Sequence, residues 1–193
     1  MKRKAFWIVI FINLLLTLTD GLLTYIGTPD LRFESNPLIS FFGLGWSSLI
    51  LSNILWFAFF ALCAYFTLVK YQSPRFNVNS FQEYISMLFY NRPDKFIWSW
   101  YRLPKNWKPY LSAGGFAFML TLPITRLIAI LEWTFRLTHS PLDSLVSSLS
   151  MQLPFYRLDL LVAVMVVLFS FSFWMVKEYN RNKKELKRQV SFE

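Results

Sequence analysis

Asp20 and Glu34 are the two carboxylates on which this chain could build chemistry. Asp20 lies inside the first apolar stretch, in company with Asn13, Thr17 and Thr24. These four positions are spaced four, three and four residues apart, so on an α-helix they make one polar stripe. Glu34 follows in the short run Glu34-Ser35-Asn36-Pro37. Two carboxylates with an amide oxygen and threonine hydroxyls suit proton transfer or cation handling, because hard cations take oxygen ligands. Arg126, in a later apolar stretch, suits the opposite charge: its planar guanidinium matches a phosphate or a carboxylate.

The elements that must position these groups are membrane spans. The chain has 193 residues, 55% hydrophobic and 16% charged, against about 25% charged in an ordinary soluble domain. Apolar stretches at about 5–26, 46–69, 111–137 and 156–176 predict an all-α, polytopic membrane protein with four transmembrane helices in one domain. Sixteen of the twenty Lys and Arg residues lie before the first span, between the second and third, or after the fourth. That pattern predicts an inner membrane with both termini cytoplasmic, residues 177–193 forming a basic tail. It also turns the net charge of +9 away from nucleic acid and toward an anionic inner leaflet.

Residues 72–110 make the long cytoplasmic connection. Ser80 and Glu83 form a capping box, and Phe81, Tyr84, Ile85, Leu88 and Phe89 follow at helical spacing. This predicts a short amphipathic interfacial helix over 80–90. Beyond it, Trp98, Trp100, Tyr101, Trp107 and Tyr110 interleave with Lys95, Arg102, Lys105 and Lys108. That mixture suits a headgroup layer, with a docked protein partner as the alternative. Ser140, Pro141 and Asp143 predict another helix start beyond span three.

A charge at the centre of a bilayer costs on the order of 2.5–3.5 kcal/mol on insertion scales. Span one runs outward, placing Asp20 roughly 6 Å beyond its midpoint. Arg126 lies slightly beyond the midpoint of span three, and Asn53 in the outer half of span two. Neither charge has a partner on its own helix. Asp20 shares its face with Asn13 and threonines, and Arg126 is about 120° around the axis from Glu132. Asp20 is therefore expected to pair with Arg126, with Glu34 and Asn36 folding back over the pair. Secondary candidates are Glu132, which can pair with Arg136, and His139, which Asp143 could orient.

The pattern Asn13-x6-Asp20-x3-Thr24, followed by Glu34-x-Asn36-Pro37 before a second span, resembles a family of small prokaryotic membrane proteins of unknown function. The likeness covers about residues 8–70; in the family the asparagine lies nearer the aspartate. It implies a membrane location and a four-helix or similar bundle, and no activity.

One cysteine and one histidine exclude a cysteine cluster or a multi-histidine metal site within the chain, and no cofactor is expected. No catalytic signature occurs: there is no Gly-x-Ser-x-Gly, no His-Glu-x-x-His and no phosphate-cradling glycine loop. Three function classes follow, in this order. The first is a protein that binds or moves an ion or an anionic lipid headgroup in a polar pocket of the outer half. The second is an accessory subunit of a larger membrane complex. The third is a membrane-embedded enzyme acting on a lipid-linked substrate.

Overall fold

The computed structural model describes residues 2–32, 39, 42–93, 103–151 and 158–190. They form α1 (Lys2–Gly27), α2 (Trp46–Tyr65) continued by a π-helical turn (Phe66–Lys70), α3 (Phe81–Tyr90), α4 (Trp107–Leu137), α5 (Pro141–Met151) and α6 (Leu158–Val190). No strand occurs among the described residues. Four of these helices are long and apolar enough to cross a membrane: α1, α2 with its π turn, α4 and α6. The chain is an all-helical polytopic bundle, and the four spans fall where hydropathy puts them.

α1 shows why the bundle holds together. Its two buried residues are Asn13 and Thr24, whereas Trp7, Ile8, Phe11, Leu18 and Leu22 are exposed on its flank. Hydrocarbon solvates a leucine as well as another helix does, so the face turned inward is the polar one. α4 is the hub, packing against α1, α2, α3, α5 and α6. Pro123 lies inside α4 and removes one backbone donor. Around it the Thr121 hydroxyl donates to the Ala117 carbonyl at 2.8 Å, and the Thr125 hydroxyl to the Thr121 carbonyl at 3.1 Å. Gly115 lets α4 approach α2 closely: a Cβ there would lie 2.5 Å from Thr67 Oγ1 and 3.3 Å from the Cys63 carbonyl. Gly27, at the end of α1, lies against the Trp133 ring in the same way.

The end of the bundle that carries both termini is built differently. The capping box on α3 forms as the sequence predicts: Ser80 Oγ accepts from the Glu83 amide at 3.2 Å, and Glu83 Oε2 accepts from the Ser80 amide at 3.3 Å. The placement of α3 differs from expectation. Six of its ten residues are buried, Ser86 among them, so it is a docked part of the protein rather than a free interfacial helix. The apolar face that periodicity reveals is taken up by α6 and α4. Phe81 meets Tyr179 edge-on at 5.5 Å, and Phe89 stacks on Phe171 at 6.3 Å.

α6 runs unbroken to Val190, so the basic segment that follows the fourth span at residue 177 continues it as helix. Its extension is held by contacts. Asn182 Oδ1 accepts from the Phe76 amide at 3.0 Å, and its Nδ2 donates to the Phe76 carbonyl at 2.9 Å. Arg75 pairs with Glu185 at 2.8 Å, and Arg181 with Glu178 at 3.4 Å.

Candidate functional site

The polar stripe of α1 faces the interior. Asn13 is fully buried and Thr24 is 4% exposed, with Thr17 and Asp20 half-buried between them. Thr17 spends its hydroxyl on the Asn13 carbonyl one turn back, at 2.7 Å. That leaves the Asn13 side chain unsupported: neither its Nδ2 nor its Oδ1 has a hydrogen-bond partner. A buried amide without partners costs on the order of 1–3 kcal/mol, and such a group calls for an explanation.

One turn beyond Thr17 the stripe meets α4. Arg126 is 8% exposed, and its Nη1 donates to Asp20 Oδ2 at 3.2 Å. The expected pair is therefore present. Asn53 joins it from α2: Arg126 Nη2 donates to Asn53 Oδ1 at 2.8 Å. Asn53 is itself oriented by its own helix, since its Nδ2 donates to the Leu49 carbonyl at 3.1 Å. Three spans thus converge on one guanidinium. The sequence placed Asn53 at the right depth among the polar candidates, but not as the second acceptor for Arg126. That role depends on how α2 is rotated against α4, which no spacing within α2 encodes.

The node is loosely made. A charge-assisted N–H to carboxylate bond is ordinarily about 2.7–2.9 Å, and arginine often grips a carboxylate with two parallel bonds. Here a single 3.2 Å bond joins the charges, and buried Arg126 Nε has no partner. The Asp20 side chain is the more accessible of the two, at 24% against 9%. An entering polar group would reach the carboxylate first and the guanidinium through it.

A capped turn closes the same end of α1. Thr28 is 1% exposed; its amide donates to the Thr24 carbonyl at 2.8 Å and its hydroxyl to Asp30 Oδ1 at 3.1 Å. The Arg32 amide also donates to Asp30 Oδ1, at 3.2 Å. These two donors hold the Asp30 carboxyl below its ordinary pKa, the Arg32 amide more than the Thr28 hydroxyl. Trp46 Nε1 donates to the Pro29 carbonyl at 2.8 Å, tying the head of α2 to this turn. Thr28 was missed as a stripe member, although it continues the four-residue spacing beyond Thr24.

The remaining candidates divide. Glu34 and Asn36 lie outside the described residues, as does the cluster Lys95, Trp98, Trp100, Tyr101 and Arg102. Glu132 is half-buried near the end of α4, and the Arg136 guanidinium lies 5.2 Å over the Trp133 ring. His139 is exposed in the left-handed region, φ 51°. No hydrogen bond joins it to Asp143, whose amide instead donates to the Ser140 carbonyl at 3.0 Å. No group of three or more His, Cys, Asp or Glu that could hold a metal occurs among the described residues. The Glu178 and Asn182 side chains, both 4% exposed, were missed altogether. Their signal was a shared face with Trp174 at four-residue spacing, hidden because the tail reads as polar and basic.

Comparison with protein-family models, with curated proteins and with solved structures finds no match.

Proposed function

We propose that this chain is an integral protein of a prokaryotic cytoplasmic membrane that binds an anionic group at Arg126. The ligand is a small anion or the headgroup of an anionic lipid, and Asp20 is the resident counter-charge that it replaces. The observation that carries this is the grip on Arg126: a buried guanidinium held to its carboxylate by one 3.2 Å bond, with Nε unpartnered. Asn53 keeps the guanidinium in place at 2.8 Å whichever anion occupies the other side. The fully buried, unpartnered amide of Asn13 supplies a donor and an acceptor further along the same stripe. The basic residues gathered at the terminal end support that end as cytoplasmic, which puts the node in the outer half. The resemblance of the Asn13, Asp20, Thr24 and Glu34-x-Asn36-Pro37 pattern to small prokaryotic membrane proteins supports the location.

Ligand-induced thermal stabilisation of the purified chain in neutral detergent tests the reading, since a ligand that binds only the native state raises the melting temperature. Chloride, phosphate and an anionic lipid are the probes. Asp20→Asn removes the competing charge, so at least one probe should bind it more tightly than the wild type; adding Arg126→Gln to that variant should abolish the gain. Absence of stabilisation by every probe in both the wild type and Asp20→Asn would sink the reading. The second reading would then stand: a helix-locking node in an accessory subunit. It is favoured by the convergence of α1, α2 and α4 on Arg126, and it requires a stoichiometric partner on native purification.

A further inference from the structure

At the terminal end, the C-terminus of α3 and the approach to α4 enclose a depression of about 300 Å³ lined by Tyr90, Arg92, Leu103 and Lys105. Its frame is pinned. Asn91 turns the chain out of α3 in the left-handed region, φ 56°. The Lys105 and Asn106 amides donate to the Phe89 carbonyl at 2.9 and 3.0 Å. Asn106 Nδ2 donates to the Leu88 carbonyl at 3.0 Å and to Asn91 Oδ1 at 2.6 Å. These bonds do two things. They hold residues 90–92 and 103–106 side by side, and they set donors against the Leu88 and Phe89 carbonyls near the end of α3. A helix C-terminus ordinarily repels an anion through such carbonyls; here these two already accept bonds.

The depression therefore presents two cations and a phenol. Among the described residues no carboxylate pairs with Arg92 or Lys105, and both side chains are exposed. Its depth is fixed by Phe89, whose ring meets Tyr110 in the first turn of α4 at 6.3 Å and Trp174 of α6 at 6.5 Å. That is the level at which the span α4 begins. From there an apolar track leads along the bundle: Leu103 is 81% exposed, Trp107 54% and Leu111 56%. Trp107 and Leu111 are four residues apart and share a face of α4.

We propose that this depression binds an anionic glycerophospholipid, its phosphate between Arg92 and Lys105 and an acyl chain along Trp107 and Leu111. The arginine fork and the ammonium suit a phosphodiester, and a basic pocket at the start of a span is where headgroups are recognised. A free phosphate would use the cations and leave the apolar track idle, so the lipid is the ligand that both features fit.

The test is a lipid titration of the full chain in neutral detergent, read by native mass spectrometry. Dioleoyl-phosphatidylglycerol is the probe; dioleoyl-phosphatidylcholine and inorganic phosphate are the comparison arms. Arg92→Gln with Lys105→Gln should weaken phosphatidylglycerol binding about 30-fold, from two basic contacts at a membrane surface. Lys184→Gln with Lys187→Gln, an exposed pair elsewhere on the same end, should leave it unchanged. Should the pocket pair fail to fold, Leu103→Glu sets a like charge beside the phosphate from an exposed position and should weaken binding in the same direction. An equal loss in the control pair would reduce the site to general surface charge. Equal retention of phosphatidylcholine, or competition by inorganic phosphate at the concentration of the lipid, would also overturn the proposal.

Discussion

The first span, α1, and the terminal cap bury opposite kinds of residue, while α2 and α4 bury both kinds. In α1 the buried side chains are an asparagine and a threonine. In α3 they include Tyr84, Ile85 and Leu88, each at 0% exposure, and Phe89 at 3%. The cap obeys the rule for proteins in water: apolar surface leaves the solvent, at about 25 cal/mol per Å². In the spans that term vanishes between helices, because lipid accepts leucine and phenylalanine as readily as protein does. What the lipid rejects goes inside: the guanidinium of Arg126, the carboxylate of Asp20, the amides of Asn13 and Asn53.

The polar groups of the two regions differ as well. In the cap, the amide of Asn182 has both its functions satisfied by the Phe76 backbone. In the spans, the equally buried amide of Asn13 has neither satisfied. The cap is not fully matched either, since Ser86 Oγ and Glu178 Oε2 are buried there without partners; what sets Asn13 apart is that both functions of one fully buried amide go unmatched.

The largest effect should come from breaking the node. Arg126→Gln leaves the Asp20 carboxylate without its counter-charge and should destabilise the chain by about 3 kcal/mol, the lower end of the range for removing one partner of a buried pair, because Asp20 is partly accessible. Asp20→Asn should destabilise by a similar amount. The double variant should be more stable than the sum of the singles, since neither buried charge then remains uncompensated. Thermal unfolding in detergent measures the cycle; strict additivity would show that the 3.2 Å contact carries no energy.

Asn182→Ala tests the cap, and its effect should be smaller and local. It removes a donor and an acceptor from the Phe76 backbone, a loss of about 2 kcal/mol for buried groups left unmatched. Hydrogen exchange should quicken over residues 177–190 while the spans stay protected. Quickening spread equally through α1 and α2 would mean that cap and spans unfold as one unit.

The sequence revealed these two regions unequally, for a physical reason. A span is a local property: twenty apolar residues announce it whatever surrounds them, so Trp46–Lys70 was legible almost to the residue. The pairing of Asp20 with Arg126 was legible because a charge in a span must be compensated and the sequence sets no opposite charge on the same face of either helix. The capping box at Ser80 and Glu83 was legible for the same local reason. The burial of α3 was not, because a period of 3.6 shows that a helix has an apolar face and not whether lipid or α6 covers it. The continuation of α6 to Val190 was hidden by its basic composition, which reads as a solvated tail until Glu178 and Asn182 are seen to be buried. Asn53 as second acceptor lay beyond reach because it depends on three helix rotations at once.

The smallest effect at neutral pH belongs to Tyr84, and it grows only in alkali. Its hydroxyl lies 3.1 Å from Ser73 Oγ, so Tyr84→Phe should cost about 1 kcal/mol or less at pH 7. Burial disfavours the phenolate and pushes the Tyr84 pKa from the ordinary 10.0 up to about 12, a shift opposed by the Ser73 hydrogen bond. A raised pKa in the folded state means that the native protein keeps its proton where the unfolded chain has lost it. Stability from this group is therefore complete below pH 10 and is lost as the pH rises from 10 to about 12. Burial raises the phenol of neighbouring Tyr71 in the same direction, so some alkaline slope should survive the substitution. Melting curves of wild type and Tyr84→Phe between neutrality and pH 12 check this: the variant should start slightly lower and fall less steeply. Identical slopes would mean that the Tyr84 phenol is reached by water in the folded state, and that the cap is not packed like the core of a soluble domain.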